Sequence, residues 1–128
     1  MSVATLRTVQ GRCHCRAVTF EVDLDDENPD LRRCNCSLCR RKSAVMAGVP
    51  IGRFRIHQGA DKLSLYQWNE HIARHYFCSI CGIYTHHQRR SNPLEIGINT
   101  GCFEGVSIEE FTTDVMGDGA AMSLVQSK

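Results

Sequence analysis

A chain of 128 residues fits one domain of ordinary size and is too short for two independent cores. Charged residues make up 23% and the formal net charge is +1, which argues against wholesale nucleic-acid binding and against an acidic interaction tail. The stretch from Met1 to Gln10 lacks the basic start, apolar run and cleavage site of a secretion signal, and no later segment reaches membrane-spanning length, so a cytoplasmic, reducing setting is expected.

In chain order, Ala17 to Leu24 alternates Val18, Phe20, Val22 and Leu24 with Thr19, Glu21 and Asp23, the pattern of a strand with one buried face. Asp25 to Asp30, acidic and containing Asn28 and Pro29, reads as a surface loop. Ser37 to Ser43 is long enough only for a helical turn. Ala44 to Val49 and Phe54 to Gln58 read as short strands separated by Pro50 and Gly52. Lys62 to Trp68 and Ala73 to Phe77 follow as neighbours in an antiparallel sheet, the second leading directly into Cys78. Ile83 to His87 is another strand, and Arg89 to Pro93 a turn. Leu94, Ile96 and Ile98 then alternate with Glu95, Gly97 and Asn99. A second helical turn is expected at Ser107 to Phe111. With no internal repeat or low-complexity stretch, residues 1–128 read as a single, mostly β domain.

Eight cysteines are an excess that calls for disulfides or metal, and a reducing setting favours metal. Seven of them form three groups: Cys13-His14-Cys15, Cys34-Asn35-Cys36-Ser37-Leu38-Cys39, and Cys78-Ser79-Ile80-Cys81-Gly82. A short C-x-C or C-x-x-C turn delivers two sulfurs to one ion at little cost in chain entropy, and Gly82 permits the tight backbone such a turn needs. Cys13, Cys15, Cys78 and Cys81 can therefore close around a first, structural Zn²⁺. Cys34, Cys36 and Cys39 supply three corners of a second tetrahedron and leave the fourth open, as a catalytic ion requires.

The other candidate ligands carry competing readings. Cys102 is either a small buried hydrophobe or a fourth ligand that closes the second site. His14 is expected at the surface, because its neighbours' sulfurs point the other way. His86 and His87 fall on opposite faces of a strand and cannot chelate together, though either can face the open zinc. His71 and His75 are four residues apart, but on strand-like sequence they do not form a metal pair.

Gly11-Arg12-Cys13-His14-Cys15, Cys34-Asn35-Cys36-Ser37-Leu38-Cys39-Arg40 and Phe77-Cys78-Ser79-Ile80-Cys81-Gly82 together resemble the glutathione-dependent formaldehyde-activating enzyme family. The resemblance runs over roughly residues 11 to 105, with Gly59, Leu63, Tyr66 and Asn99 also similar. It implies a β-tent of stacked antiparallel sheets, a structural zinc on Cys13, Cys15, Cys78 and Cys81, and a catalytic zinc on Cys34, Cys36 and Cys39. It also implies carbon-sulfur lyase activity, in which the thiol of glutathione adds to formaldehyde to give S-hydroxymethylglutathione. The chain departs from the family's more usual Leu-Asp at Phe103-Glu104.

A thiol with a pKa near ~8.5 is mostly protonated at neutral pH, and zinc turns it into the nucleophilic thiolate. The expected substrates are a small thiol, such as glutathione, and an aldehyde, with a proton donor for the developing alkoxide. Arg40, Arg41 and Lys42 are candidates to pair with carboxylates of a peptide-like thiol, while Arg12, Arg16, Arg32 and Arg33 can offset thiolate charge. Two other classes compete: a zinc-stabilised binding module for protein or nucleic acid, requiring a fourth ligand on the second site, and a redox or metal-buffering role for the open thiols.

Overall fold

The computed structural model describes residues 5–68 and 71–118; residues 1–4, 69–70 and 119–128 of the expected domain lie outside them. Ten strands are present among the described residues: β1 (Leu6–Arg12), β2 (Thr19–Asp25), β3 (Asp30–Cys34), β4 (Met46–Pro50), β5 (Phe54–Gln58), β6 (Leu63–Tyr66), β7 (Arg74–Cys78), β8 (Tyr84–Gln88), β9 (Glu95–Asn99) and β10 (Met116–Gly117). One short helix, α1 (Ser37–Lys42), and several 3-10 turns connect them; α1 and the turn Ile108–Glu110 fall at the helical turns expected over Ser37 to Ser43 and Ser107 to Phe111.

The strands form two sheets. One has the order β1-β2-β5; the other runs β10-β3-β4-β9-β8-β7-β6. All pairings are antiparallel except the two-residue contact of β10 with β3. This is the β-tent of stacked antiparallel sheets.

Alternation explains the stacking. Phe20, Val22 and Leu24 of β2, with Val9 of β1, project from one sheet onto Ala47 and Val49 of β4 and Ile96 and Ile98 of β9. Burial of each large apolar side chain contributes roughly 1.5–3 kcal/mol. Phe54 bridges the layers, its ring 5.3 Å from that of Phe20 and 4.6 Å from the imidazole of His86. The outer face of the small sheet is polar, as the alternation requires: Arg55 bonds both Glu21 and Asp23, while Gln10 bonds Glu21 and Thr8 bonds Asp23.

The structure corrects the sequence reading in three places. β1 had no strand signal because its inward positions are only Val9 and Gly11, the latter against the Phe20 ring. β3 falls where a loop gave way to a cysteine cluster; Leu31 is its one strongly apolar residue, and its pairing with β4 makes it a strand. Leu94, expected to share the buried face of Ile96 and Ile98, precedes β9 and is 69% exposed.

The opposite face of the large sheet positions the site. Asp30, Gly48, Gly97, His87 and His75 are successive register partners across β3, β4, β9, β8 and β7. Together they form one row across the sheet, and its His75 and His87 end lines the same cavity as Cys34, Cys36 and Cys39.

Candidate metal centres and active site

Cys13 and Cys15 leave the end of β1 in a tight turn, held by the Cys13 amide on Val18 O at 3.1 Å and by Arg16 in a left-handed conformation at φ 71°. Cys78 ends β7, and Gly82 at φ 79° returns the chain so that its amide reaches Cys78 O at 2.8 Å. This is the turn geometry expected of Gly82. The two turns bring four sulfurs together. Cys15 Sγ lies 3.6 Å from Cys13 Sγ and 3.7 Å from Cys78 Sγ. Those separations are too long for a disulfide and match the ~3.8 Å edge of a tetrahedron with 2.3 Å metal–sulfur bonds.

Cys34, Cys36 and Cys39 converge from the end of β3 and the start of α1. Cys36 caps the helix, its sulfur accepting from the Cys39 amide at 3.3 Å, and Ser43 ends the helix in a left-handed turn at φ 51°. The three sulfurs lie within 4.8 Å of one another, as do the four of the first group, so both clusters can hold a metal ion. Hydrogen bonding to Cys34 and Cys36, with burial, pushes the Cys39 thiol far above its ordinary range, and Cys34 likewise raises Cys36. Three thiolates this close repel one another unless a cation joins them, so the donor set fits a thiophilic divalent metal.

Cys102 belongs to neither cluster. It is buried, its sulfur 3.5 Å from Tyr84 O, and burial pushes its thiol up to about 12. The charges it faces are Cys13, Cys81 and Glu104, and it lines a cavity with Cys13 rather than the one at the second cluster. Among the described residues, the second group therefore contains three Cys, His, Asp or Glu donors rather than four.

The second cluster opens into a cavity of about 280 Å³, with Trp68, Ile72 and Met46 on its apolar wall and Arg32, Arg33 and Arg90 among its polar residues. Lys42 also lines it, whereas Arg40 and Arg41 do not; the Arg41 guanidinium bonds Ser37 O at 2.7 Å. Arg12 and Arg32 pair with carboxylates, Arg12 with Glu104 and Arg32 with Asp30 at 2.9 Å. Thiolate charge is thus not their only partner.

The histidines separate as strand alternation requires. His86 turns into the core and stacks on Tyr76 with ring centroids 4.7 Å apart, while His87 lines the cavity. His75 lines the cavity as well, its ring stacked 5.3 Å from that of His87. Burial lowers His75 to about 4 and His87 to about 3, so both imidazoles are neutral at physiological pH. His14 and His71 are exposed, and neither joins a cluster.

Sequence reasoning missed Tyr84 and Arg89. Tyr84 OH lies 2.6 Å from His87 Nδ1, Lys42 Nζ sits 3.6 Å from the Tyr84 ring centroid, and burial raises the phenol well above its ordinary range. Arg89 is buried and paired with Asp30 at 2.7 Å and Glu95 at 3.4 Å. The available signal was glycine inside strands, at Gly48 and Gly97, which marks close approach of another group.

No helix among the described residues is long and apolar enough to cross a membrane. The chain is similar in structure to a Rhodobacter sphaeroides protein solved by crystallography, at a TM-score of 0.76 and 47% identity, covering 84% of this chain and 98% of that one. The profile of the glutathione-dependent formaldehyde-activating enzymes matches residues 8–115, a span that includes both cysteine clusters and every strand from β2 to β9. The chain belongs to the glutathione-dependent formaldehyde-activating enzyme family.

Proposed function

We propose that this protein is a zinc-dependent carbon-sulfur lyase acting on the adduct of a small thiol and an aldehyde, with glutathione and formaldehyde as the first pair to test. Cys34, Cys36 and Cys39 would hold a catalytic zinc, and Cys13, Cys15, Cys78 and Cys81 a structural one. The observation that carries the reading is a cluster of three cysteine donors opening into a cavity large enough for a small thiol. A binding module would instead need a fourth protein ligand at that cluster.

When bound there, zinc would supply Lewis acidity, making the substrate thiol a thiolate at neutral pH. The chain's residues do the rest. Arg32, Arg33 and Arg90 give the cavity a cationic lining suited to the carboxylates of a peptide-like thiol. Trp68, Ile72 and Met46 exclude water from one side.

The test is zinc per chain on protein purified without chelator, then glutathione titration of a cobalt-substituted sample. Two ions and a new thiolate absorption band on thiol addition are the expected result. Two ions with no response to any thiol would sink the open-site reading.

A further inference from the structure

The cavity carries a group of polar side chains for which thiol activation has no use. Tyr84, His75, His87 and Lys42 line it together with the three cysteines. Tyr84 OH is 2.6 Å from His87 Nδ1 and 3.5 Å from His75 Nδ1, and the Lys42 ammonium lies over its ring. The tyrosine is fixed from behind, because its carbonyl accepts from Asn99 Nδ2 at 2.8 Å. His87 in turn occupies space that exists only because Gly97 has no Cβ. A buried phenol needs one partner to be satisfied; this one has an imidazole at short range, a second imidazole nearby and a cation over its face.

Resting on the lyase reading above, we propose that Tyr84 is the proton donor to the aldehyde oxygen, with His87 and Lys42 as its positioning residues. When His87 Nδ1–H donates to the phenol oxygen, the Tyr84 proton is directed at another acceptor in the cavity, and the substrate oxygen fills that role. The step balances. The thiolate sulfur forms a bond to the aldehyde carbon, the π pair of the carbonyl moves to its oxygen, and the Tyr84 proton completes the hydroxyl. The phenolate left behind accepts from His87 and faces the Lys42 ammonium. The proton released when the thiol became a thiolate returns to Tyr84 through solvent in the cavity. The net reaction is thiol plus aldehyde giving the hydroxyalkyl thioether, without redox change, and its reverse is the lyase direction.

The test uses zinc-loaded protein with glutathione and formaldehyde, following exchange between free and adduct formaldehyde by NMR above the spontaneous rate. Tyr84→Phe keeps the ring and is expected to lower kcat about 100-fold or more, with zinc content and glutathione Kd unchanged. Lys42→Met is expected to lower kcat about tenfold with glutathione Kd and KM unchanged, and Lys42→Arg to restore most of the rate, a pattern that neither a merely structural lysine nor one that binds the thiol's carboxylates would give. A folded Tyr84→Phe protein with kcat within about threefold of wild type would overturn the assignment while leaving the lyase reading standing. If Tyr84→Phe does not fold, the lysine pair decides: Lys42→Met as active as wild type overturns it. Wild-type protein no faster than the spontaneous reaction would remove the lyase reading and this assignment with it.

Discussion

Gly48 and Gly97 are register partners on β4 and β9, and the space where their Cβ atoms would stand is filled by the Arg89 guanidinium and the His87 imidazole. Two strand positions that offer no side chain thus make a trough in which a buried cation and a cavity-lining imidazole can lie flat against the backbone. The neighbours cannot easily give way. Arg89 is held by Asp30 and Glu95, and His87 is stacked on His75 and close to the Tyr84 hydroxyl.

Gly97→Ala is therefore expected to push His87 from its place and destabilise the protein by about 1–3 kcal/mol through overpacking. Its kcat should fall as well, since the imidazole at Tyr84 moves. Gly52→Ala, whose Cβ would meet nothing within 4 Å, serves as the control and should change stability by less than about 0.5 kcal/mol. Thermal unfolding of the metal-loaded proteins measures both.

Arg89→Met keeps much of the side-chain volume but removes the cation between Asp30 and Glu95, leaving Asp30 with Arg32. A loss of about 2 kcal/mol in denaturant unfolding is expected, with glutathione affinity within about threefold of wild type, because Arg89 serves the scaffold. A variant as stable as wild type would show that the pair contributes nothing net.

The two cysteine clusters should respond differently to single substitutions. Cys78→Ser removes a buried member of the four-cysteine group that joins β7 to the end of β1, and the protein is expected to unfold or become insoluble. Cys36→Ser should stay folded, bind one ion fewer per chain and lose activity. Cys102→Ala should keep its full metal content at a cost of about 1–2 kcal/mol. Metal analysis paired with circular dichroism on the three variants checks all of these, and equal unfolding by Cys36→Ser and Cys78→Ser would refute the division of labour.

Acid should weaken the fold through His86. Burial among Phe54 and Tyr76 lowers this imidazole from 6.5 to about 4. Between those values the unfolded chain binds a proton that the folded chain refuses, so stability falls as pH drops from about 6.5 and levels off below about 4. The contribution is about 3 kcal/mol across the window, as an upper figure. Compared with wild type, His86→Gln should show a shallower decline in unfolding free energy over that range, whereas parallel curves would mean that His86 does not titrate on unfolding.

Local periodicity and spacing were enough to determine the mostly β class, most of the strands, the three cysteine arms and their division into two groups, because each rests on residues close in the chain. Val18 to Leu24 shows its buried face by alternation alone, and a C-x-C or C-x-x-C arm is a chelator before it has a partner. β1 and β3 were invisible to that reading, since long-range pairing rather than their own apolar content makes them strands. Only the tertiary structure could decide which face of the large sheet lines the cavity. Lys42, His75 and the run that carries Tyr84, His87 and Arg89 are three separate segments, and no local pattern links them. They meet because the register of β3, β4, β9, β8 and β7 sets Gly48 and Gly97 side by side, and the absence of two Cβ atoms makes room for the groups around the site.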